Sequence, residues 1–342
     1  MALFNNFENK YTYVFININI PQYTSFLFYF NMINNIKKVL SLNNIKYHSI
    51  NNIDEAKTLG PNIILIVDVT VIYTMLRKYS DIILKRYPHK INDINELLKY
   101  KYILIVGENY DDKVNTFIGW NSLPNVNFSK NNILHKIIKQ SYKVTYQNNK
   151  TFDFFKTIIA PEKLVFFPID GYLTEYVIND INEKKDIDVL FYGHADYPRR
   201  KAAFEKLSKL NISFVITNDI FDIEPLKEII NRTKIIFHIN SMDNCYHIPH
   251  AKLAKLLTNN KIVVVENTEE LNDSDLYQYV YAFNINNYHI NDDGTKIPSY
   301  IHIITNILEN YQHFQKSLED KNPRSLMMEK YNFESNVIEL IK

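Results

Sequence analysis

DIDVLFYGHADYPRRKAAFEKLSKL, residues 186–210, reads as strand, turn and helix in immediate succession. Val189, Leu190, Phe191 and Tyr192 make a continuous apolar run, the pattern of a strand buried on both faces of a parallel sheet. Gly193 ends the run, and Pro198 stands at a favoured first position of a helix. Arg199, Arg200 and Lys201 then crowd the first helical turn. Cations there oppose the helix dipole by about 0.3–1 kcal/mol each, so an anion close by would offset them. Two explanations fit. One is a bound diphosphate, which arginine can hold in bidentate fashion; the other is a solvated surface turn. Arginine is otherwise confined to Arg77, Arg86, Arg232 and Arg324, which makes the adjacent pair conspicuous.

The stretch IIFHINSMDNCYHIPHAKLAKLLTNNKIVVVE, residues 235–266, repeats the plan as strand, polar loop, helix and strand. Loop 241–250 leaves the C-terminal end of a strand and enters a helix at Pro249. The first N–H groups of that helix lack intrahelical partners and favour an anion. His238, His247 and His250 gather here. Pro249 separates the last two and no carboxylate is spaced to complete a ligand set, so contacts to a sugar or ribose fit better than a metal.

Outward from these segments the chain alternates. Strands are expected at 13–18, 45–50, 62–67, 102–106, 142–146 and 163–167, with helices at 25–42, 71–87, 133–140 and 151–159. After Pro168-Ile169-Asp170-Gly171, a break signal, a second series begins. Its strands are 188–192, 212–216, 234–238, 262–265 and 279–283. Its helices are 198–210, 223–231, 249–257, 298–318 and 325–341. Two such series predict an α/β chain of two Rossmann-like domains, residues 1–168 and 172–322, facing one another across a cleft. A final helix is expected within 323–342. Ligands in such sheets sit at the C-terminal ends of the strands.

Composition narrows the function. With 342 residues and 46% hydrophobic content the chain is long and apolar enough for two cores. A net charge of +1, without a basic stripe, argues against nucleic acid as a partner. The lone Cys245 excludes an intramolecular disulfide and a cysteine-based zinc site. The first thirty residues lack the basic start and clean apolar core of a secretory signal, and no apolar run is long enough to cross a membrane, so the expected location is cytoplasmic. The excess of Asn, Ile, Lys and Tyr is that of an AT-rich genome, such as a giant virus or a protist would supply.

Segments 186–210 and 235–266, in this order, resemble the C-terminal domain of group 1 glycosyltransferases, in the branch that includes spore-maturation CgeB-type domains. KKDIDVLFYGHADYPRRK is similar to the family's first motif, and IIFHIN followed by KLLTNNKIVVVE to its second. YKVTYQNNKTFDFFKTIIAPEKLVFFPIDGY, residues 142–172, is similar to the passage that ends such N-terminal domains. The likeness covers roughly residues 140–270; residues 1–130 match in element order alone. It implies the GT-B architecture, a terminal helix within 323–342 that packs back on the first domain, and transfer of a sugar from a nucleoside diphosphate donor, UDP- or GDP-linked, without a metal or other cofactor. The acceptor would be a hydroxyl of a glycan, protein or lipid. Donor contacts are then expected from Gly193, His194, Arg199, Arg200, His238, Asn240, Asn244, His247, His250, Lys252 and Glu266. The family also carries a Glu that binds the ribose hydroxyls. Lys255 or Lys252 stands near that place here, leaving His250 or Asn244 as substitutes. A protein of the same fold that binds carbohydrate or scaffolds without catalysis is the alternative this departure raises.

Other signatures fail on context. Asp186-Ile187-Asp188 is formally a DxD motif, but it precedes a strand instead of following one. Glycine-rich dinucleotide fingerprints, a P-loop and a nucleophile elbow are absent, which disfavours an oxidoreductase. In the N-terminal half the strand ends offer Asp68 and Glu108. Asp68 reads best as a cap of the following helix, while Glu108 is the candidate general base.

Overall fold

The computed structural model describes residues 10–17, 24–68, 71–72, 94–106, 110–111, 116–117, 133–168, 171–179, 184–218, 223–241 and 248–342. The chain divides into two compact units, one of Met1–Ile169 with Glu334–Lys342, the other of Asp170–Phe333.

The first unit contains β1 (Thr12–Ile16), α1 (Thr24–Leu42), β2 (Tyr47–Ile50), β3 (Ile63–Asp68), α2 (Ile94–Leu97), β4 (Tyr102–Ile105), β5 (Tyr110–Asp111), β6 (Thr116–Phe117), α3 (Ile133–Gln140), β7 (Lys143–Tyr146), α4 (Asn149–Phe155) and β8 (Leu164–Phe166). Six strands form a sheet in the order β2-β1-β3-β4-β7-β8, parallel at every pairing. Every residue of β3 and β4 is buried, as their unbroken apolar sequences require of strands covered on both faces.

The second unit contains β9 (Ile187–Tyr192), α5 (Pro198–Leu207), β10 (Phe214–Thr217), α6 (Ile223–Asn231), β11 (Thr233–His238), α7 (His250–Thr258), β12 (Ile262–Glu266), α8 (Glu269–Asn272) and β13 (Tyr281–Phe283). A hairpin of β14 (Tyr288–Ile290) and β15 (Lys296–Pro298) follows, then α9 (Ser299–Glu309), α10 (Tyr311–Lys321) and α11 (Pro323–Glu329). The sheet order is β10-β9-β11-β12-β13, again parallel throughout. Its core joins Val189, Phe191, Phe237 and Val264 of the sheet to Leu207 of α5 and to Tyr300 and Ile304 of α9. Phe237 and Phe283 stack at 5.5 Å between centroids. The α/β class and the two Rossmann-like units expected from the sequence are what the structure contains.

The last helix, α12 (Phe333–Ile341), lies largely in the first unit. Tyr13 Oη of β1 donates to the Ile341 carbonyl at 2.8 Å, and Lys143 Nζ of β7 to the Glu339 carbonyl at 2.9 Å. The segment expected as one helix over 325–341 is thus two helices. Lys330 caps the first helix in helical geometry, its N–H donating to Leu326 O, and the chain then leaves the helix as Tyr331, Asn332 and Phe333 pair with the start of the second unit. Tyr172 N–H donates to Tyr331 O at 2.6 Å, Phe333 N–H donates to Tyr172 O at 3.1 Å, and Tyr172 bridges Asn332 in parallel fashion. Gly171 permits the approach, since a Cβ there would fall 2.1 Å from Tyr331 O. The helix expected over 298–318 likewise breaks in two, at Asn310. Of the helix expected over 71–87, only residues 71–72 lie among the described residues.

With 6 glycines in the whole chain, asparagine takes several left-handed positions: Asn44, Asn260 and Asn322 have φ of 56°, 48° and 49°. Asparagine is the ordinary residue that tolerates this region best.

Candidate functional site

The second sheet reverses direction at β9. The chain moves from β9 outward to β10, then crosses back to β11 on the other side. The C-terminal ends of β9 and β11 thus flank the switch in strand order, the place where doubly wound sheets bind ligands in a crevice. Gly193 follows β9 directly. Its φ of +122° belongs to glycine, while the nearest atom to a Cβ there, Lys252 Nζ at 3.6 Å, leaves ordinary room. Backbone conformation, not space, thus fixes this glycine.

The arginine pair clamps the crevice wall. Arg199 Nη1 donates to Glu266 Oε2 at 2.6 Å, and Arg199 Nη2 donates to Glu266 Oε1. The Asn240 N–H donates to Glu266 Oε2 at 2.9 Å, and the Asn240 carbonyl accepts from Arg199 Nη1 at 3.2 Å. Helix α5, the end of β12 and the exit of β11 are closed into one ring of hydrogen bonds. Arg200 donates through Nε to Ile239 O at 3.0 Å and through Nη1 to His194 O. The anion that offsets the basic helix start includes an internal one, Glu266.

Lys252, in the first turn of α7, supplies the second cation of the crevice. Its Nζ donates to Tyr192 O at 2.6 Å and lies 3.3 Å from His238 Nδ1. Both Arg200 and Lys252 rest near the Phe191 ring, at 5.3 and 5.2 Å from its centroid. Burial pushes the Lys252 ammonium down to about 7, and the charges of Arg200 and Lys255 push the same way. No described carboxylate pairs with Lys252.

No family model matches the chain, and no curated protein matches it in sequence. Two solved structures follow its path at low identity. TarM (crystal structure) matches with a TM-score of 0.49 and 10% identity, over 85% of this chain and 57% of its own. OtsA (apo structure) matches with a TM-score of 0.47 and 11% identity, over 92% and 75%. The chain thus spans little more than half the length of TarM. The reading of the site rests on the residues themselves.

A second group adjoins α7. His250 is 9% exposed, and neither ring nitrogen has a hydrogen-bond partner among the described residues; Nε2 is 3.8 Å from Glu270 Oε1. Glu270 Oε2 accepts from the Ile248 N–H at 3.1 Å, answering one of the free donors at the helix entry. Asn267 Oδ1, just past β12, is also buried without a partner. Sequence reasoning missed Glu270 and Asn267. They reach the site because β12 lies beside β11, a neighbourhood that spacing along the chain does not reveal.

Of the sequence candidates, Gly193, Arg199, Arg200, His238, Asn240, Lys252 and Glu266 meet in one network, with the His194 carbonyl at its edge and the His194 ring exposed against Tyr197. His250 belongs to the adjoining group. Asn244, His247 and the base candidate Glu108 lie outside the described residues. Lys255 stands over the Tyr176 ring at 4.9 Å. Asp68 accepts from the Val71 N–H at 3.1 Å, as a cap does. The DxD carboxylates are occupied at the opposite sheet edge. Asp186 takes two hydrogen bonds from Arg232, at 3.0 and 2.8 Å, and Asp188 one from Lys234 at 2.7 Å. Among the described residues no group of three or more His, Cys, Asp or Glu is placed to hold a metal, and no helix is long and apolar enough to cross a membrane.

Proposed function

We propose that the chain is a glycosyltransferase that moves a hexose-like sugar from a nucleoside diphosphate donor to an acceptor hydroxyl of a glycan, protein or lipid, without a protein-bound metal. The observation that carries this reading is the position of the Lys252 ammonium, buried where the strand order switches between β9 and β11, beside Arg200. A buried cation without a carboxylate partner favours an anionic ligand. In the transfer, the acceptor oxygen bonds to the anomeric carbon as the bond from that carbon to the diphosphate oxygen breaks. The diphosphate leaves with the electron pair, and the acceptor proton passes to a base. Lys252, Arg200 and the N–H groups at the starts of α5 and α7 would stabilise the charge that develops on the leaving group. The unpartnered His250 nitrogens and Asn267 Oδ1 suit the hydroxyls of ribose or sugar.

The alternative is a non-catalytic carbohydrate-binding or scaffolding protein, and the absence of any carboxylate from α7 favours it. Hydrolysis of the donor by the purified protein would separate the two.

Titration calorimetry with UDP and GDP, with and without EDTA, tests the site. Binding should persist in EDTA, and Lys252→Gln should weaken it by roughly tenfold or more. A bound diphosphate raises the Lys252 pKa from about 7. Binding near pH 8 should therefore take up protons, read as a heat that changes with the ionisation enthalpy of the buffer. Parent-like affinity in Lys252→Gln, with no proton uptake, would remove the diphosphate from this crevice.

A further inference from the structure

We infer that the second unit holds another ligand site, at the N-terminal ends of its sheet's strands, for a small phosphomonoester whose organic part carries hydroxyls. A cavity of about 250 Å3 opens there, lined by Lys185, Asn231, Lys261 and residues of α7, α10 and α11. Its position follows from topology. Lys185 and Asn231 each stand two residues before their strand, β9 and β11, and Lys261 immediately precedes β12. These three strands are neighbours, so their N-terminal ends deliver the three residues to one place.

Charge sets the ligand class. Lys185 Nζ and Lys261 Nζ both donate to the single carbonyl oxygen of Asn231. Arg324, at the start of α11, lines the same cavity and makes no hydrogen bond or ion pair with a described residue. Against these three cations the described lining includes one carboxylate, Glu319, whose Oε1 already accepts from Gln315 at 2.8 Å. Cations gathered this way attract a compact dianion, and a guanidinium with two ammonium groups matches the oxygens of a phosphate.

The remaining lining asks for hydroxyls. Thr258, 1% exposed, presents Oγ1 without a partner, and Asn260 presents Oδ1 in the same condition. Buried polar atoms are as a rule hydrogen-bonded, and exceptions point to a group that completes them. A ligand hydroxyl can donate to Asn260 Oδ1, and Thr258 can donate to a ligand oxygen. The volume admits something near the size of a hexose phosphate and falls below that of a typical drug-sized pocket.

Calorimetry with glucose 6-phosphate, inorganic phosphate and glucose tests the inference, with the melting temperature of each variant checked in the absence of ligand. Glucose 6-phosphate should bind more tightly than inorganic phosphate, and glucose should not bind. Arg324→Gln and Lys185→Gln should each weaken both phosphates by roughly tenfold. Thr258→Val should weaken glucose 6-phosphate and leave inorganic phosphate unchanged. Lys252→Gln, at the C-terminal strand ends, should leave both unchanged, which keeps this result separate from the fate of the glycosyltransferase reading. No binding of either phosphate, or parent-like binding by the Arg324→Gln, Lys185→Gln double variant, would overturn the site. Loss of binding in Lys252→Gln would also overturn it, because the anion would then lie at the strand C-terminal ends.

Discussion

Arg199 shows how far one residue can be read from sequence. Its place in the first turn of a helix demands a counter-charge, and the sequence carries that demand plainly. The partner is not legible, because Glu266 lies 67 residues away and reaches Arg199 only through the order of parallel strands. Folding supplies a carboxylate at a place where a ligand was the other candidate. The pair is substantially desolvated, with side-chain exposures of 15% and 9%. Removing one partner from such a pair strands the other charge and typically costs about 3–5 kcal/mol, whereas an exposed pair is worth about 1 kcal/mol or less. Arg199→Ala should therefore lower the stability of the second unit by about 3–5 kcal/mol. Replacing Arg199 by Met and Glu266 by Leu together should recover much of it. Native-state hydrogen exchange at β11 and β12 reads this unit separately from the first. A loss below about 1 kcal/mol in Arg199→Ala would mean that water screens the pair.

The strands were the elements easiest to foresee. NIILIV and YILIV are continuous apolar runs bounded by polar residues, and both became central strands. Helices were harder at their ends. Periodicity runs through residues 325–341, yet the backbone leaves the helix after Lys330, and residues 331–333 pair with Tyr172. Local propensity is worth tenths of a kcal/mol per residue there, and tertiary hydrogen bonds override it. Gly171 tests that account. An added Cβ would meet a backbone oxygen, Tyr331 O, at 2.1 Å, so one of the two segments must move. Gly171→Ala should then break the hydrogen bonds between Tyr172 and residues 331 and 333. It should destabilise the protein by about 1–3 kcal/mol, the usual range for overpacking. Faster exchange of the Tyr172 and Phe333 amides is the specific sign. Unchanged protection at both amides would show that the bridge does not depend on this glycine.

At the scale of the whole molecule the chain leaves its first unit near residue 169 and returns to it at residue 334. The sequence pointed to a terminal helix on the first domain through family resemblance, and could not say which contacts hold it. They are substantial. Val337, Ile338, Leu340 and Ile341 of α12 are buried, and Ile341 O accepts a hydrogen bond from the hydroxyl of Tyr13, itself 1% exposed near the start of β1. Burying an apolar side chain of this size contributes about 1.5–3 kcal/mol, so four of them supply about 6–12 kcal/mol. A domain's net stability is about 5–15 kcal/mol. Deleting residues 334–342 should therefore unfold the first unit or leave it barely stable, and should free the Tyr13 hydroxyl from its acceptor. The second unit closes its own core between Asp170 and Phe333 and should survive the deletion. Limited proteolysis of the shortened chain should degrade the first unit and leave a resistant fragment beginning near residue 170. Adding a peptide of residues 331–342 in trans should restore protection to β1, β3 and β4, since the helix docks by side-chain burial and not through chain continuity. If those strands keep parent-like exchange rates without residues 334–342, the helix covers a core that is already complete, and the return of the chain to its first unit contributes nothing to that unit's stability.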